Sequence, residues 1–102
     1  MNYQEKVKQS KKILKTIKSL KPGDEFEITY GVDRDKKPRV FTIRAYNSFK
    51  DEIDYVIRDG RSYIGGQMNI DKISNTQMKA YSFDMMSNKT TYTFPLYLLN
   101  IV

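Results

Sequence analysis

Seven lysines crowd into the first 21 residues: Lys6, Lys8, Lys11, Lys12, Lys15, Lys18 and Lys21, against one acid, Glu5. The rest of the chain carries eleven bases and eleven acids, so the formal charge of +6 belongs to this segment. Ammonium groups at this density suit one task above others, neutralising a polyanion. The means for catalysis are sparse. The chain has no histidine and no cysteine, which removes the commonest general base, the commonest metal ligand and the thiol nucleophile. Glu25 and Glu27 stand two apart and would share one face of a strand, but such a pair is ordinarily the solvated side of a sheet. The spacing of Asp33 and Asp35 matches the start of a calcium loop, yet Lys36 and Lys37 follow, and no glycine or distal glutamate falls in register. No enzyme activity, no metal and no cofactor is expected.

The lysines need an element to align them. At 100° per residue, Tyr3, Val7, Ile13, Leu14, Ile17 and Leu20 fall within an arc of about 140°. Lys8, Lys11, Lys12, Lys15 and Lys18 fall within a separate arc of about 120°. The spacing predicts an amphipathic helix over residues 3–20 with Lys6 as an exception on its apolar side. Lys21-Pro22-Gly23 ends it, because the residue before a proline is pushed out of the helical region. A helix of this kind can also lie on an anionic membrane. Its apolar arc lacks Trp and Phe and is needed to cover a sheet, which disfavours that reading.

After Gly23 the period changes from 3.6 to 2. Strands are predicted over 24–30, 39–46, 52–58, 61–68, 76–85 and 89–94. Asp59-Gly60 reads as a tight hairpin turn, Gly65-Gly66 as a bend, and 69–75 as a turn. Leu96 to Val102 is apolar and is expected to pack back as a final short strand. The fold class is therefore α+β. An N-terminal amphipathic helix packs on a small antiparallel five- to six-stranded β-barrel or strongly bent sheet. Length allows a single domain, 1–102, divided into a basic helix (1–21) and a β-rich body (24–102). The order of elements over residues 3–85 resembles an SH3-like barrel, and more loosely its Sm-like version with a leading helix. No functional residue is carried over from that resemblance.

Other residues extend the basic set. Arg34 and Arg39 sit in or beside the loop 33–39 and could clamp a phosphate backbone. Arg44 and Tyr46 fall on the outer face of the second strand; Arg58 and Arg61 flank the Asp59-Gly60 turn, and Tyr63 follows. Aromatics interleaved with arginines can stack bases while holding phosphates, although tyrosine is also a common strand residue. The expected function is a small, non-catalytic nucleic-acid-binding protein whose lysine helix contacts phosphates. The alternative is a protein of a phage or mobile element that binds and inhibits, or adapts, a host protein through an acidic surface. Self-assembly through a sheet edge or the C-terminal segment is a third option. No stretch has the length or apolarity of a membrane span, and no signal-peptide run follows Met1, so a cytoplasmic setting is expected.

Overall fold

The computed structural model describes residues 2–59 and 66–102. One helix, α1 (Tyr3–Lys18), precedes six longer strands: β1 (Glu25–Val32), β2 (Pro38–Asn47), β3 (Ile53–Asp59), β4 (Gln67–Ile73), β5 (Gln77–Phe83) and β6 (Lys89–Pro95). A single 3₁₀ turn, Leu96–Leu98, leads to a two-residue strand, β7 (Asn100–Ile101).

Helix α1 starts where Asn2 supplies a cap: its side-chain oxygen accepts the Glu5 amide at 2.8 Å. Lys15 and Lys18 lie in the last turn, where the helix dipole favours cations. The helix ends two residues earlier than its periodicity suggests. The Ser19 amide still reaches back to Lys15 O at 3.0 Å, and the chain then turns through Gly23 at φ 95°. Gly23 N donates to Ala45 O at 2.8 Å, and Ala45 N to Asp24 O at 3.0 Å, so the exit from the helix is fastened directly to β2.

All strand pairs are antiparallel, in the order β6-β5-β4-β3-β2-β1-β7. Among the described residues the sheet has seven strands rather than five or six, and it is a curled half-barrel with β6 and β7 as its edges, not a closed barrel. The curl is visible in the aromatic contacts. Phe94 of β6 packs edge-on against Tyr30 of β1 at 5.3 Å and Phe41 of β2 at 5.9 Å, although those strands lie at opposite sides of the sheet. Register irregularities between Thr29 and Val32 and between Ile70 and Lys72 add local twist.

One hydrophobic core fills the concave side. Ile13, Ile17 and Leu20 of the helical segment meet Ile28, Phe41, Ile43, Ile57 and Met78 of the sheet. Leu96 and Leu99 close it from the C-terminal segment. The Gln9 side-chain amide donates to Leu99 O at 2.7 Å, tying that segment to α1. The apolar C-terminus therefore packs back as expected and becomes the outer neighbour of β1.

The largest departure from the sequence reading is β4. A two-residue turn at Asp59-Gly60 would pair Arg58 with Arg61, whereas Arg58 faces Gln67 and Ile57 faces Met68. The strand thus runs through Gln67–Ile73, including much of the stretch read as a turn. Gly60, Arg61, Tyr63 and Gly65 lie outside the described residues.

Three hairpins share one turn design. In 33–37, 48–52 and 84–88 the first residue's side-chain oxygen accepts the amides of the third and fifth residues. The fourth residue is left-handed in each: Lys36 at φ 60°, Asp51 at 58° and Ser87 at 62°. This assigns Asp33 a turn role: its carboxylate is occupied by the Asp35 and Lys37 amides.

Candidate nucleic-acid interface

The helix is oriented by Ser10, Ile13 and Ile17, which are buried, and by Leu20 just beyond it. Those four residues occupy an arc of about 80°. Lys8, Lys11, Lys12, Lys15 and Lys18 are all exposed and centre almost opposite that arc. The stripe from Lys8 to Lys18 is about 15 Å long at 1.5 Å per residue. None of these ammonium groups pairs with a carboxylate among the described residues, where the single ion pair is Arg39 with Asp59. Lys6, the exception in the pattern, lies over the Tyr97 ring at 4.9 Å and covers an aromatic face instead of joining the stripe.

The remaining sequence candidates divide among separate places. In β2, Phe41, Ile43 and Ala45 point into the core, so Arg44 and Tyr46 point to the convex face. Pairing with β3 sets Arg58 opposite Thr42 and Val56 opposite Arg44, which brings Arg58 diagonally next to Arg44 on that same face. Burial first, then the Asp54 carboxylate and Tyr81, hold the Tyr46 phenol above its ordinary pKa. Tyr46 therefore stays a neutral donor well into alkaline solution.

Arg34 is exposed in the β1–β2 hairpin tip. Arg39 has the same parity as Phe41 and lies on the concave side, away from Arg44. Its guanidinium is engaged by Asp59, with Nε 3.1 Å from the carboxylate, and stacks 5.1 Å from the Phe41 ring centre. Together Arg39, Asp59, Tyr30 and Tyr92 line a cavity of about 340 Å³ at the mouth of the half-barrel. Arg61 and Tyr63 fall outside the described residues.

The convex face also holds residues that sequence reasoning passed over. Tyr81 and Phe83 project there from β5, in T-shaped contact at 5.7 Å, and Phe83 is 59% exposed. The Lys89 ammonium sits 4.7 Å over the Tyr81 ring. The signal was present: Met78 and Ala80 alternate with Lys79, Tyr81 and Phe83, so an inward Met78 requires an outward Tyr81.

Arg44, Tyr46, Arg58, Tyr81 and Phe83 thus share the convex surface, where Glu25 stands opposite Arg44 and Asp54 opposite Tyr46. The lysine stripe lies on the other side of the sheet, beyond α1, in a molecule measuring 41 × 37 × 22 Å. A short ligand lying flat on one surface does not touch the other. Glu25 and Glu27 are exposed on the convex side of β1. Among the described residues no group of three or more acidic side chains is placed to hold a metal ion, and no helix is long and apolar enough to cross a membrane. No family model, curated protein or solved structure matches the chain.

Proposed function

We propose that the protein is a small, non-catalytic nucleic-acid-binding protein of the cytoplasm that grips phosphates with the lysine face of α1. The supporting observation is the exposed, carboxylate-free stripe of Lys8, Lys11, Lys12, Lys15 and Lys18, turned away from the buried Ile13 and Ile17. A face selected only for solubility ordinarily mixes signs. Contacts made by ammonium groups to phosphates carry no base specificity, so affinity should depend little on sequence. The convex surface with Arg44, Tyr46 and Arg58 offers a separate place where single-stranded bases could stack.

The test is binding to labelled single- and double-stranded DNA and RNA across a salt series. If all five lysines engage a duplex, log affinity should fall against log salt with a slope of about −4. A variant with Lys11, Lys12, Lys15 and Lys18 all changed to Glu, shown by circular dichroism to keep its fold, should lose that binding. Equal binding by both proteins, or a response flat to salt, removes the helix from the mechanism.

A further inference from the structure

Between its lysine face and its buried face, α1 carries a third surface. Tyr3, Val7, Ser10 and Leu14 follow one another at steps of four, three and four residues. That is the seam spacing by which one helix packs on another. Here the seam is left partly open. Tyr3 is 80% exposed, and Val7 and Leu14 are half-buried. The seam forms one wall of a groove of about 570 Å³, and Pro95 and Tyr97 form part of the other wall.

The charge along its border indicates what the groove would hold. Ser10 lines it while only 5% exposed. The border of the groove is cationic. Lys6 is held there over the Tyr97 ring, and Lys11 borders the seam from the lysine face.

We propose that this groove is a docking site for an acidic amphipathic segment of a partner protein. Its apolar side chains would lie along Tyr3, Val7 and Leu14, and its carboxylates would meet Lys6 and Lys11. A second copy of the chain fits poorly. Joining two seams would set lysine borders against each other, and the one acid of α1, Glu5, lies on the far side of the helix. Nucleic acid would meet the lysines but leave the apolar wall without a matching surface. The inference is independent of nucleic-acid binding, although Lys11 borders both surfaces.

The probe is a fluorescein-labelled synthetic peptide with leucines at helical seam spacing and glutamates elsewhere. Its control has lysine at every glutamate position, and oligo(dT) is measured in parallel. The acidic peptide should bind, the basic one should not, and amide shifts in an NMR titration should concentrate in residues 3–14 and 95–97. Tyr3→Asp, at an exposed position, and Val7→Glu should each weaken the acidic peptide on the order of tenfold, as loss of an anchor does. Lys8→Glu, remote from the seam, should change it less than threefold, and Tyr3→Asp should leave oligo(dT) binding within twofold. The proposal fails if the acidic peptide does not bind. It also fails if Lys8→Glu weakens the peptide as much as Tyr3→Asp does. Sedimentation showing a dimer that Tyr3→Asp dissociates would assign the groove to a second copy and overturn it.

Discussion

Replacing Ile17 with alanine tests whether the lysine face exists because the helix is docked. Ile17 is 0% exposed and packs in the core with Ile13, Leu96 and Leu99. Truncating a buried isoleucine forfeits its transfer energy and leaves a cavity, at a cost of about 3 kcal/mol. A domain of this size has about 5–15 kcal/mol to lose. The midpoint of thermal unfolding should therefore fall on the order of 15 °C, with a matching drop in the urea midpoint. Lys12→Ala, on the exposed face, should stay within about 0.5 kcal/mol of wild type. Below its lowered midpoint, Ile17→Ala should bind nucleic acid within twofold of wild type, because the charges remain where they were. A loss below about 1 kcal/mol would show that α1 does not rest on the sheet. The account of why the lysines face outward would then fail.

Two smaller tests address the shared hairpin design. Ser87 holds a left-handed backbone at φ 62°, which costs a residue with a side chain about 1 kcal/mol. Glycine removes that strain but gains freedom in the unfolded chain, so Ser87→Gly should raise stability by roughly 0.5 kcal/mol in urea unfolding. Asp84 accepts the Asn88 amide, which with the Asn88 side chain and the Met86 amide holds its carboxyl below the usual aspartate range. A depressed folded-state pKa contributes stability that is present above the unfolded value and is lost as pH falls through the folded one. The Met86 and Asn88 amide resonances should therefore shift upfield together in strongly acidic solution, below the ordinary aspartate titration, and Asp84→Asn should flatten that transition.

Local periodicity made α1, β1 and β2 readable, because each has a single buried face. Ile13 and Ile17 recur at helical spacing, and Phe41, Ile43 and Ala45 alternate with Thr42 and Arg44. Strand β4 was hidden because its irregularity between Ile70 and Lys72 breaks the two-residue alternation, and a broken period reads as a turn. Curvature was hidden for another reason. It depends on Phe94 reaching Tyr30 and Phe41 from far along the chain, and no local pattern encodes that contact. The lysine stripe was legible in the same periodicity that revealed the core. The parity Arg39 shares with Phe41 already places it on the inner side, apart from Arg44. The groove could not be seen from α1 alone, because its second wall comes from Pro95 and Tyr97.

One short helix meets three environments through the angles of its side chains. Ile13 and Ile17 face the core, Lys8, Lys12 and Lys15 face water, and Tyr3, Val7 and Leu14 lie between them beside Tyr97. A helix repeats its direction every 3.6 residues, so neighbouring positions in sequence belong to different surfaces. Lys11 and Lys12 stand about 100° apart: the first borders the groove, and the second turns away from it. Charge reversal at Lys12 should therefore weaken nucleic acid and spare the acidic peptide, while reversal at Lys11 should weaken both. Identical profiles for the two variants would mean that the surface acts only through its net charge, and the angular division would carry no functional meaning.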